Sequence, residues 1–133
     1  MIAGVADTHA AVLYLFGDPR LSLSAKAAFD AAAPSRLKIA LSVVSMAEVV
    51  YLVEKSRLPM SVCVDWQAAL RDPHHVLQEA PGTSEIVDVM RDVPRTDIPD
   101  MPDRIVAATA VYFSVPAISR DGRIRTSKVR TIW

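Results

Sequence analysis

A chain of 133 residues, 51% hydrophobic and 23% charged, with four glycines, is one domain's worth of foldable sequence. That composition excludes a disordered or low-complexity chain and leaves a domain able to bury about two thirds of its unfolded surface. Fifteen Lys and Arg balance fifteen Asp and Glu, so there is no overall pull toward nucleic acid or membrane, and any charged site must be a local asymmetry.

The single cysteine, Cys63, makes neither an internal disulfide nor a zinc cluster, which fits a reducing cytosol. The longest apolar stretch, Ile39 to Val53, is interrupted by Ser42, Ser45 and Glu48 and is too short for a membrane span of roughly 20 residues. The N-terminus lacks a leading Lys or Arg and carries Asp7 within its apolar run, so no signal peptide is expected. The expectation is a cytoplasmic protein.

In chain order, Ile2 to Ala6 reads as a buried strand, and Thr8 opens a helical pattern through Phe16 that Asp18-Pro19 breaks. Ser22 to Ala33 is a second helix, ended by Pro34. Leu37 to Leu41 is a second strand. Ser42 or Ser45 then caps a helix with an apolar stripe of Met46, Val49, Val50 and Val53, and Glu48 falls off that stripe, in the first turn. Met60 to Leu70 is a fourth helix, His75 to Glu79 a third strand, Ser84 to Arg91 a short helix, and Asp92 to Pro102 a proline-rich loop. Asp103 to Phe113 is apolar nearly all round, as a helix buried between layers would be. Pro116 to Ser119 is a short strand, the tail from Arg120 to Arg130 is basic, and Thr131 to Trp133 is a candidate edge strand. This alternation predicts an α/β sandwich with a mostly parallel sheet, all in a single domain spanning residues 1–133.

In open α/β sheets, ligands bind beyond the carboxyl ends of the strands. Asp7 and Asp121 follow strands there, while Glu48 and Asp103 begin helices at the same end. Four carboxylates converging on one spot repel one another unless a cation neutralises them. With oxygen donors alone, the natural occupant is Mg²⁺ or Mn²⁺, ions that activate water and clamp the oxygens of a phosphodiester. Each acid also has a plain structural reading. Ser45-x-x-Glu48 fits a capping box, Asp100-x-x-Asp103 a helix cap, Asp121-Gly122 a turn, and Asp7 a cap on the first helix.

The segments VADTHAAVLYL, SVVSMAEVVYLV, MPDRIVAATA and ISRDGRI resemble, in order and at about the same distances, those of PIN-domain ribonucleases, in particular VapC-type toxins of toxin–antitoxin pairs. The resemblance runs over nearly the whole chain and implies a PIN-like sandwich. It implies that Asp7, Glu48, Asp103 and Asp121 are the catalytic, metal-binding acids, with Ser119, at the hydroxyl position two before the last, as a candidate substrate contact. It further implies Mg²⁺- or Mn²⁺-dependent cleavage of structured RNA, a cognate antitoxin that holds the activity in check, and a homodimer. Asp100 departs from the family's short approach to the Asp-Arg pair and is kept outside the metal set.

Among other residues, Arg120 and Arg123 lie just beyond Asp121 and are candidates for contact with RNA phosphate, set against a solvated basic surface. Arg104 is equally able to pair with a carboxylate. His9 is a helix-start residue packing beside the site, His74-His75 has no partner at zinc spacing, and Trp66 and Trp133 are expected in packing. Two rival readings are a receiver-like phosphoacceptor domain, against which stands the lack of an adjacent acidic pair at Asp7, and a PIN fold kept as a binding module without catalysis.

Overall fold

The computed structural model describes residues 1–133. Its centre is a five-stranded sheet in which every strand pairing is parallel. The strands are β1 (Ile2–Ala6), β2 (Lys38–Ser42), β3 (Leu77–Ala80), β4 (Ala117–Ile118) and β5 (Thr131–Ile132), in spatial order β3-β2-β1-β4-β5. The helices are α1 (Thr8–Leu15), α2 (Leu23–Ala32), α3 (Val43–Glu54), α4 (Ser61–Arg71), α5 (Ser84–Val89), α6 (Met101–Phe113) and α7 (Gly122–Thr126). A single 3-10 turn, Met90–Asp92, follows α5.

Strand alternation divides the core in two, because successive side chains leave opposite faces of the sheet. Ala6, Ile39, Leu41, Leu77 and Ile118 face a layer built by α1, α2 and α4, where Phe29 is fully buried and stacks on Tyr14 at a centroid distance of 4.2 Å. Val5, Ala40, Ala80 and Ala117 face the opposite layer, filled by Ile86, Val106, Ala107, Ala110 and Ile124. Small side chains on both sides of this second contact let α6 lie close against the sheet. Gly4 serves the same end within the sheet, since a Cβ there would stand 3.3 Å from the Pro116 carbonyl oxygen.

The chain runs outward from β1 through β2 to β3, then returns through α5 and α6 to place β4 on the other side of β1. The order therefore reverses between β1 and β4, which is where such sheets form a ligand crevice. Asp7 ends β1 there, and Asp121 follows β4.

Several element boundaries differ from expectation. Ser42 caps α3 by accepting from the Val44 N–H at 3.3 Å, so the helix starts before Ser45 and Glu48 lies in its second turn. Ser45 is fully buried with its hydroxyl unpartnered, so the Ser45–Glu48 capping box does not form. Val50 of the expected stripe is 47% exposed. Strand β3 begins two residues late because Asp72 and His75 hold the preceding backbone in turns: the Asp72 carboxylate accepts from the His74 N–H and the His75 Nδ1 from the Leu77 N–H. Helix α6 is buried from Val106 to Ala110, but Val111 and Tyr112 emerge into solvent as it leaves the sheet. The basic tail contains α7, while Trp66 and Trp133 pack into the core as expected. No helix is long and apolar enough to cross a membrane.

Candidate active site

The carboxyl ends of β1 and β4, together with α3 and the start of α6, enclose a cavity of about 480 Å³. Asp7, Glu48, Asp103 and Asp121 all line it, as do Asp100, Thr8, His9, Arg120 and Gly122, and none of the lining residues is hydrophobic.

Helix starts position three of these acids. Asp7 caps α1, its Oδ1 accepting from the Ala10 N–H at 2.8 Å, and its other oxygen accepts from the Ser119 hydroxyl. Asp121 caps α7, its Oδ1 accepting from the N–H groups of Arg123 at 2.9 Å and Ile124 at 3.1 Å. Asp100 caps α6 by accepting from the Asp103 N–H at 3.1 Å, which leaves the Asp103 carboxylate free of that duty. Asp7 and Asp121 thus each give one oxygen to a helix cap while bordering the cavity.

Glu48 reaches the same space from α3, where its Oε1 accepts from the Thr8 hydroxyl at 3.1 Å. Thr8 is the site residue that sequence reasoning passed over, although its place beside Asp7 at a strand end was a signal for it. Arg104, left open from sequence, turns away from the acids. Its Nε donates to the Val93 carbonyl at 2.7 Å and its Nη2 to the Met90 carbonyl at 2.7 Å, tying the start of α6 to the segment after α5.

Ser119 has a different place from the substrate contact expected of it. It is fully buried, its hydroxyl donates to Asp7 and accepts from the Asp121 N–H at 3.0 Å, and it does not line the cavity. It orients the acids at two strand ends. Arg120 lines the cavity, whereas Arg123 is exposed on α7 and outside the lining. Asp100, set apart from the metal acids on sequence grounds, borders the cavity while serving as a cap.

The electrostatics follow from that crowding. Burial, then the charges of Asp121, Asp100, Glu48 and Asp7, push the Asp103 carboxyl up to about 7, and no hydrogen bond offsets them. Burial also raises Glu48, with Asp100 and Asp7 adding to the effect and the Thr8 hydroxyl and His9 opposing it. Asp7 is raised chiefly by burial, against its bonds to Ser119 and the Ala10 N–H. No three acids or histidines are already gathered as a closed metal-ligand set. Carboxylates facing a common space without a counter-charge stay apart or hold protons, and the donor set is all oxygen, which fits a hard divalent cation.

The PIN domain family model matches residues 5–128 of the chain. The chain belongs to the PIN domain family. Among solved structures, this PIN domain is similar to VapBC2 from Rickettsia felis bound to a DNA fragment from their promoter, with a TM-score of 0.72 and 17% identity over 98% of this chain and 97% of that one. It is also similar to a toxin–antitoxin complex from Klebsiella pneumoniae, with a TM-score of 0.63 and 19% identity over 93% of this chain and 92% of that one. At these identities the likeness establishes a shared fold. The search of curated proteins returned no match.

Proposed function

We propose that this PIN domain is a VapC-type toxin: an endoribonuclease that hydrolyses phosphodiester bonds of structured RNA with Mg²⁺ or Mn²⁺ and is held inactive by a cognate antitoxin. The observation that carries the reading is the meeting of Asp7, Glu48, Asp103 and Asp121 in one wholly non-apolar cavity at the strand-order reversal. A receiver-like site would need an adjacent acidic pair after β1, and Asp7 is followed there by Thr8 and His9.

The four acids would hold the cation, with Asp100 adding negative charge at the rim. The cation, when bound, supplies an activated water and charge neutralisation at the scissile phosphate. The chain's own residues do the rest. Ser119 fixes the Asp7 carboxylate, and the Asp121 N–H is anchored on the same hydroxyl. Thr8 holds one oxygen of Glu48. Arg120 and His9 are the lining residues able to carry positive charge, placed to meet phosphate oxygens at the edge of an otherwise acidic space. With its carboxyl pushed up to about 7, Asp103 is part-protonated at neutral pH and would hold a cation in its ionised form.

Both similar structures are toxin–antitoxin assemblies, which supports a protein partner for this chain. The apolar cleft between α3 and α4, about 250 Å³ and lined by Met46, Val50, Cys63 and Trp66, gives such a partner or a second copy in a homodimer a surface to cover. A toxin of this kind, paired with its antitoxin, would act in the cytoplasm.

The test is incubation of the partner-free protein with RNA. Cleavage is expected with Mg²⁺ or Mn²⁺ and none in EDTA. Full activity in EDTA contradicts the metal mechanism, and no cleavage with either ion leaves the PIN fold as a binding module.

A further inference from the structure

A site rimmed by carboxylates repels the polyanion it is read as cleaving, and the chain's net charge of zero supplies no general attraction. A bound cation neutralises the acids around one phosphate, so the rest of the strand needs positive charge close by. Such charge lies in a second cavity of about 250 Å³ that shares Thr8, His9 and Arg120 with the acidic one and adds Arg20 and Arg57.

The three arginines arrive from separate parts of the chain. Arg20 stands in the turn between α1 and α2, its guanidinium gripped by Asp18 through bonds of 3.1 and 2.8 Å. Arg120 follows β4 and lies near enough for Asp18 to feel its charge as well. Arg57 follows α3, where Ser56 adopts the left-handed conformation at φ 58° and the chain turns back, the Arg57 N–H bonding to the Leu52 carbonyl at 2.8 Å. A non-glycine residue in that conformation is disfavoured by roughly a kcal/mol or more, and here it brings Arg57 and Leu58 onto the groove that opens into the active site. Val12 and Leu52 form part of the groove's apolar wall.

We propose that Arg20, Arg57 and Arg120 form a subsite for a backbone phosphate of RNA adjacent to the scissile one. The proposal rests on the reading of the chain as RNA-cleaving. The unpaired guanidiniums of Arg57 and Arg120 are able to take phosphate oxygens in bidentate fashion, Arg20 adds the N–H groups that Asp18 does not engage, and the apolar wall accepts a ribose or base face. Continuity with the acidic cavity favours a nucleic acid strand over an acidic peptide. A second phosphate of the same strand meets the cation held by the acids, whereas the next carboxylate of a peptide has no such distinct task. Asp18 is the one acid in direct contact with these guanidiniums, and its grip fixes Arg20 while leaving Arg57 and Arg120 unpaired.

The experiment compares binding of a fluorescent single-stranded RNA, by anisotropy in Mg²⁺, to the Glu48→Gln protein with and without Arg20→Gln and Arg57→Gln. The double arginine change is expected to weaken binding about tenfold or more and to lower the slope of log affinity against log salt by about 0.7 for each phosphate that is no longer neutralised. Arg125→Gln, exposed on α7 outside the groove, should change little. Placed on the wild-type background, the same two arginine changes should raise KM while kcat stays within a few fold.

Unchanged affinity and salt slope in the arginine variant overturn the subsite. Loss of binding to a poly-glutamate peptide with RNA binding intact also overturns it and makes the groove a protein site. If wild-type protein fails to cut RNA in Mn²⁺ but RNA binding still depends on the arginines, the subsite stands and the nuclease reading fails. Absence of any RNA binding at low salt overturns both.

Discussion

Glu48→Gln is expected to reduce RNA cleavage by about a hundredfold or more while leaving the fold intact. The size follows from removing one charged oxygen from a group that supplies several kcal/mol of charge stabilisation, since each 1.4 kcal/mol is about tenfold in rate. The fold is spared because Glu48 does not cap α3, a task that belongs to Ser42, and because a glutamine carbonyl can still accept the bond from Thr8. Burial and the neighbouring acids disfavour ionised Glu48, so in EDTA the neutral glutamine should melt no lower than wild type. Thermal melts run beside cleavage assays separate the two effects. An active Glu48→Gln protein would reduce Glu48 to a half-buried surface acid.

Asp103→Asn is expected to abolish tight Mn²⁺ binding, whereas Asp100→Asn should weaken it less than about tenfold. Asparagine caps helices about as well as aspartate, so Asp100→Asn keeps the start of α6 and removes only a peripheral charge. Asp103 bears the full crowding of the site, which fixes the sign of its pH dependence. Its carboxyl stands at about 7 in the fold against an ordinary 3.8, so in metal-free protein its contribution to stability is complete below about pH 4 and is lost as pH rises through 7. The metal-free protein should therefore lose stability over that interval, and Asp103→Asn should flatten the loss and melt higher than wild type in EDTA at about pH 8. Added Mn²⁺ reverses the ranking, because wild type gains a bound ion and the variant does not. Since the cation competes with a proton, Mn²⁺ affinity of the wild type should climb through neutral pH. Calorimetric titration and melting curves at several pH values check each step. Retention of Mn²⁺ by Asp103→Asn together with its loss by Asp100→Asn would exchange their roles.

Much of the fold was legible because buried parallel strands and amphipathic helices alternate visibly in the sequence, and each strand of the sheet overlaps an expected one. The boundaries that failed did so where a single side chain outcompeted a pattern. Two serines three residues apart offered caps for α3, and Ser42 took the role because it closes β2. His75 fits the pattern of a strand, but its ring accepts the Leu77 N–H and delays β3. Helix α7 is five residues long, too short for periodicity to reveal, and is set by the Asp121 cap.

The acids of the site were legible from their places at strand and helix ends, and the cavity contains all four. The roles of Ser119 and Arg104 were not, because each depends on a partner or a burial that no local pattern encodes, whereas the Asp100 cap was legible from its spacing to Asp103. Ser119 joins two strand ends through Asp7, 112 positions away, and Arg104 reaches carbonyls 11 and 14 positions back. The groove of Arg20, Arg57 and Arg120 is likewise a product of topology, which gathers three distant segments beside α1.

The central claim is that these acids hold a divalent cation, and its most direct measurement is a crystal of the protein grown with Mn²⁺, with diffraction data collected at the manganese absorption edge. The anomalous map is expected to show a peak within coordination distance of the carboxylates of Asp7, Asp103 and Asp121, with Glu48 bound directly or through water. An empty cavity at saturating Mn²⁺, or a peak elsewhere on the molecule alone, would contradict it.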